Sequence, residues 1–124
     1  MAGCYEAMMQ SLPLITLIEA QTGLRVEACH ATRFLARALG LLTQRTPPTP
    51  GTGLLLDPGG SVHTLAMRYA IDCAFLTRHG RVLDLATAIQ PNRLALAPRR
   101  TQLCLETRAG GLPQGIRQFI IRDL

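Results

Sequence analysis

The sequence predicts a mainly β domain with one amphipathic helix, and three observations carry that prediction. From Leu54 onward, short apolar runs alternate with turn residues; before it, one segment has helical spacing; and a proline-rich loop separates the two. Six to seven short strands with one helix fit a compact β-sandwich or barrel-like domain. The length of 124 residues argues for one domain, so 1–124 reads as a single unit. At 48% hydrophobic and 17% charged, the chain can bury a core without metal or disulfide staples.

Residues 1–21 read as an N-terminal extension. Their apolar stretch, Leu12 to Ile18, contains Pro13 and has no basic residue before Arg25, so it is too short for a signal peptide or a bilayer span. A strand is expected over Leu24 to Ala28, after the turn residues Thr22-Gly23. A helix follows from Thr32 as N-cap: Phe34, Leu35, Ala38, Leu39, Leu41 and Leu42 recur at helical spacing, with Arg33 and Arg37 on the other side. Thr46 to Gly53 is a loop, because its three prolines remove backbone donors. Strands are then expected over Leu54 to Leu56, Val62 to Met67, Ala70 to Leu76, Arg81 to Ala86, Leu103 to Thr107 and Ile116 to Ile121. Asp57-Pro58-Gly59-Gly60 reads as a turn, and Arg78-His79-Gly80 as a hairpin with Gly at a positive φ.

Every basic residue is Arg, and the net charge is +5. The balance biases partners toward anions. The arginines are scattered, however, and aromatic residues make up only 4%, which leaves few stacking platforms for single-stranded nucleic acid. Cys4, Cys29, Cys73 and Cys104 match no zinc or Cys-x-x-Cys spacing; they read as free thiols of a reduced, cytoplasmic protein. The chain has no Lys, so a Walker-type phosphate loop is excluded, and no Gly-x-Ser-x-Gly elbow is present.

If Ser61 to Met67 is a strand, Ser61, His63, Leu65 and Met67 share one face. Ser61 and His63 are then about 7 Å apart, too far for a hydrolase's direct proton transfer. His63 and Met67 with Cys73 suit a soft metal, but Met on a strand fills cores and a lone His is more often structural, so no metal or cofactor is expected. Asp72 interrupts an apolar run. Buried, it needs a cation such as Arg68, Arg33 or Arg37, or backbone N–H donors; beside His63 it would instead be a general base. Glu106 is expected to alternate outward, solvated or Arg-paired, if Leu103 and Leu105 face the core.

The stretch Ser61-Val62-His63-Thr64-Leu65-Ala66-Met67-Arg68 leading into Ile71-Asp72-Cys73-Ala74-Phe75-Leu76 resembles the signature of the family called domain of unknown function 192. Arg37 to Leu42, Gly53 to Leu56, Gly80-Arg81-Val82 and Leu105 to Gly110 are similar to its other motifs, so the resemblance covers about 31–115. Thr43-Gln44 and the ending Arg122-Asp123-Leu124 depart from the family pattern. The resemblance implies a small, mainly β, sandwich-like domain and brings no reaction, cofactor or partner with it.

The residues favour a non-catalytic binding or accessory module. Its site is expected where Arg33, Arg37, His63, Arg68 and Asp72 converge, a mixed-charge patch for a small anionic or carbohydrate-like ligand or a protein partner. The alternatives are a hydrolase or isomerase using His63 and Asp72, and a weak nucleic-acid binder using the Arg-rich surface, which is the weaker reading. No membrane association is expected.

Overall fold

The computed structural model describes residues 12–32 and 45–122. They form nine strands: β1 (Leu14–Glu19), β2 (Arg25–Ala31), β3 (Thr52–Leu56), β4 (Val62–His63), β5 (Ile71–Leu76), β6 (Val82–Ile89), β7 (Leu94–Ala95), β8 (Leu103–Arg108) and β9 (Phe119–Arg122). Seven of them make one sheet in the order β6-β5-β8-β3-β2-β1-β9, and β4 and β7 make a separate ribbon. All pairings are antiparallel except β2 with β3. The protein is therefore mainly β. The expected helix over 33–42, with Arg33 and Arg37, lies outside the described residues.

The two edges of the sheet meet. Arg81 bridges Gln118, Val82 N–H donates to the Arg117 carbonyl at 2.9 Å, and Phe119 N–H donates to the Gly80 carbonyl at 2.8 Å. This contact curls the sheet into a half-barrel. Gly80 makes it possible: its φ is +90°, and a Cβ there would run into the Phe119 carbonyl.

Curling gives the sheet two buried faces. The concave side holds Ile15, Leu17, Val26, Ala28, Leu55, Ala74, Leu76, Leu103, Leu105 and Phe119, with Leu112 and Ile116 added from the loop before β9. The convex side holds Cys29, Ala31, Leu54, Ile71, Cys73, Phe75 and Cys104, and the inner face of the ribbon (Val62, Ala95, Ala97) packs on it with Met67 and Tyr69. Each fully buried Leu or Phe contributes about 1.5–3 kcal/mol. All six residues of β5 are buried because both of its sides are covered.

Several expectations need correcting. Nine strands replace six to seven. β1 lies within the stretch taken as an N-terminal extension; Pro13 and a run without polar alternation hid it. The expected strand Val62 to Met67 stops at His63. Thr64 turns inward, its hydroxyl donating to the Gln90 carbonyl at 2.6 Å, and Ala66 takes a φ of +62°. Ser61, His63, Leu65 and Met67 consequently do not share one strand face. β9 begins at Phe119, three residues later than expected, because 112–118 is the loop that plugs the concave core.

Candidate functional site

The ribbon has two unlike faces. In its register Val62 opposes Ala95 and His63 opposes Leu94. Period-two alternation turns Val62, Ala95 and Ala97 onto the sheet and leaves His63, Leu94 and Leu96 outside. Leu94 is 65% exposed, Leu96 72%, and Leu65 in the following turn 64%. Arg68 and Arg93 are exposed beside them in sequence, and the ribbon is tied together where Thr64 N–H donates to the Arg93 carbonyl at 2.9 Å. Asn92 Oδ1 accepts from Ala66 N–H at 2.8 Å, and Ser61 Oγ from Ala97 N–H at 2.8 Å. These bonds hold the leucines outward.

Asp72 stands elsewhere. Its Oδ1 accepts from Ala88 N–H at 2.8 Å, and its Oδ2 from Gly110 N–H at 3.0 Å and Leu112 N–H at 3.1 Å. A bulge on β6 sets up the first of these: two steps on β5, from Ile71 to Cys73, match three on β6, from Ala86 to Ile89, and Ala88 takes a φ of +50°. His63 lies exposed, its Nδ1 accepting from Leu65 N–H at 3.3 Å. Among the described residues no hydrogen bond or ion pair joins His63 or Arg68 to Asp72. The carboxylate is spent on backbone donors, and nothing in this geometry makes it a general base for His63.

Glu19 repeats the device at the far end of the same loop. It is fully buried and accepts from Gln21 N–H, Thr22 N–H, Thr22 Oγ–H, Arg117 N–H and Gln118 N–H at 2.7–3.1 Å. The backbone donors of Arg117, Thr22 and Gln118 hold its carboxyl down at about 2. Asp72 and Glu19 together clamp both ends of the 110–118 loop.

Glu106 corrects the expectation of an outward, solvated or Arg-paired residue. It is 5% exposed, because β8 is a central strand with both faces covered. It opposes Leu54 on β3 and Cys73 on β5. Burial alone pushes its carboxyl up to about 7. The neighbouring thiols form a short chain: Cys73 is hydrogen-bonded to Cys104, whose thiol donates to the Gly60 carbonyl at 2.9 Å. That bond, then burial, then the nearby Glu106 charge raise the Cys73 thiol well above its usual range. Cys73 and Cys104 are free, as expected, but Cys29 is disulfide-bonded, so the expectation of free thiols throughout is corrected. Among the described residues no three His, Cys, Asp or Glu side chains are grouped to hold a metal ion, and no helix is long and apolar enough to cross a membrane.

Sequence reasoning missed one further cluster. Asp57 Oδ2 meets His30 Nε2 at 2.9 Å, and its Oδ1 accepts from Arg78 at 2.6 Å. Arg78 first, then His30, holds the Asp57 carboxyl below the usual carboxylate range. These residues are separated by 27 and 21 positions, and no local signal links them.

The family model DUF192, described as "Uncharacterized ACR", matches residues 16–117. The chain belongs to this family. The DUF192 match starts in β1 and ends in the loop that Glu19 clamps, wider at both ends than the 31–115 of the motif resemblance. Two solved structures share the fold. A protein of unknown function from Novosphingobium aromaticivorans DSM 12444 aligns with a TM-score of 0.70 at 18% identity, over 90% of this chain and 84% of that one. A Sinorhizobium meliloti 1021 protein described as a "putative transcription regulator" aligns with a TM-score of 0.71 at 20% identity, over 88% and 91%. Identities this low establish the fold alone. No curated protein matches the chain.

Proposed function

We propose that this DUF192 protein is a non-catalytic binding module, a single barrel-like domain that recognises a partner protein through the outer face of the β4–β7 ribbon and the turn after it. One observation carries the reading. Of the five exposed large hydrophobic residues among those described, Leu65, Leu94 and Leu96 lie on this one small excursion. A cluster of exposed leucines held outward by hydrogen bonds is what a partner surface looks like, and scattered ones are not. His63, Arg68 and Arg93 around it favour an acidic rim on the partner. Arg33 and Arg37 remain candidate contacts on the sequence argument alone. Asp72 supports the fold that presents the face, so the mixed-charge patch becomes a cationic and apolar one.

Photo-crosslinkers placed at Leu94 and Leu96 in the native cells would identify the partner, whose affinity is then measured with purified proteins. Leu94→Asp with Leu96→Asp is expected to weaken binding roughly 100-fold, and Arg68→Glu roughly tenfold, both with an unchanged melting temperature. A small anionic adduct seen by native mass spectrometry and surviving these substitutions would overturn the partner-protein reading.

The net charge of +5 and the description of the Sinorhizobium meliloti neighbour favour a second reading, nucleic-acid binding. It requires an affinity for DNA or RNA that falls steeply with salt. As for compartment, the free thiols Cys73 and Cys104 support a cytoplasmic location and the Cys29 disulfide opposes it. Thiol counting on freshly lysed, denatured cells separates the two.

A further inference from the structure

Glu106 is a buried acid to which no donor among the described residues is bonded. It lies on the convex face, between Leu54 and Cys73 and two residues from Cys104 on its own strand, and no hydrogen bond or ion pair among the described residues reaches its carboxyl. Among the described residues, the titratable or charged groups on that side of the sheet are Cys73 from β5, Cys104 and the part-buried Arg108 from β8, Asp84 from β6, Arg25 and Glu27 from β2, and Tyr69 from the segment leading into β5. β3 offers Leu54 and Leu56, and the ribbon offers Val62, Ala95, Ala97 and Met67, all apolar. Asp72 neighbours Cys73 in sequence but turns to the other face. Among the described residues none of these groups is hydrogen-bonded or ion-paired to the Glu106 carboxyl, and burial is what shifts it. Protonated, Glu106 is tolerated there; ionised, it is an uncompensated buried charge.

The layer best able to respond is the ribbon. It pairs with itself over two residues, and its links to the sheet include the Cys104 thiol on the Gly60 carbonyl and Gly59 N–H on the Gln102 carbonyl at 2.8 Å. Separating it from the convex face would let water reach the carboxylate without unfolding the half-barrel.

We propose that Glu106 is a proton-binding site that sets how tightly the β4–β7 ribbon closes over the sheet: protonated it keeps the ribbon packed, and ionised it opens the ribbon locally. Burial places the change close to neutrality. The consequence for partner binding, weaker as pH rises, rests on the proposed role of the ribbon; the opening itself does not.

Hydrogen–deuterium exchange on the isolated full chain tests the opening with no partner present, so its failure is distinguishable from failure of the recognition reading. Rates are taken at about pH 5.5 and about pH 8.5 and divided by the intrinsic exchange rate at each pH. Protection in 61–70 and 94–97 is expected to fall about tenfold or more across that range, while the β1–β2 hairpin stays constant and Glu106→Gln holds the ribbon protected throughout. Protection that is flat in the wild type, or a fall that persists in Glu106→Gln, overturns the proposal. Should the variant not fold, alkylation of Cys73 and Cys104 in the wild-type chain, corrected for thiolate fraction, decides. A rise with a midpoint near pH 7 supports the opening, and labelling that tracks thiol ionisation alone refutes it.

Discussion

Asp72 and Glu106 sit on adjacent strands, one register step apart, since Asp72 opposes Thr107 and Cys73 opposes Glu106. Both are buried carboxyls in the centre of one sheet, 1% and 5% exposed. Asp72 faces the side where loops cross the sheet end and receives three backbone N–H groups; Glu106 faces the covered convex side and receives none from the described residues. The pair teaches that burial does not fix a carboxyl's role. What fixes it is whether the fold brings orphan donors to it. With donors it is a clamp, and without them it is a site whose charge state the surroundings can change.

Removing the clamp has the largest expected effect. Asp72→Ala leaves three N–H groups unsatisfied at the junction of β6 and the 110–118 loop, a cost of about 3–5 kcal/mol. Chemical denaturation of purified protein measures it, and a loss under about 1 kcal/mol would mean that water replaces the carboxylate and that the two residues are less different than their geometry shows.

Glu106 is expected to behave with the opposite sign. Its folded pKa lies above its unfolded one, about 7 against the ordinary 4.5, so the folded state holds the extra proton between those values. Stability from this group is complete below the unfolded value, declines as pH rises through the window, and is gone above about 7, a swing of roughly 3 kcal/mol. Glu106→Gln should therefore stabilise the protein at about pH 8, by about 1–3 kcal/mol, and give little or a small loss at about pH 5. Glu19 runs the other way. Its folded pKa is lowered to about 2, so its contribution is present above the ordinary 4.5 and lost as pH falls through about 2. Melting temperatures across pH in wild type and Glu106→Gln separate the two: the acid limb is unchanged by the substitution and the alkaline limb is flattened.

How much of this was legible follows from the physics of each signal. β5, β8 and the β5–β6 hairpin could be read because a run of apolar residues between turn residues needs no partner to be recognised. Asp72 in an apolar run announced a buried carboxylate in need of donors, and backbone donors were one of the two structural answers offered. Glu106 was misread because period-two alternation assumes one wet face, and a central strand in a curled sheet has none. β7 was invisible at two residues, and β1 lacked alternation. The ribbon's outward leucines were hidden by the same error that extended Val62 to Met67 into a strand: Thr64 is held inward by a carbonyl 26 residues away, and no local pattern reports that bond.

The smallest expected effect sharpens the comparison from the surface side. Asp57 has a side-chain partner on each oxygen, His30 and the cationic Arg78, yet Arg78 is 44% exposed, so solvent screens much of its attraction. More ion pairing is thus expected to matter less than Asp72's uncharged donors. Asp57→Asn should cost no more than about 1 kcal/mol, and added salt should shrink the difference further. The lowered pKa of Asp57 confines even that contribution to pH above the ordinary carboxylate range, with loss as pH falls through the folded value. A penalty equal to that of Asp72→Ala would show that the His30–Asp57–Arg78 cluster is a clamp in its own right, holding the β2 and β3 ends to the β5–β6 hairpin, and that side-chain partners can replace backbone donors at this end of the half-barrel.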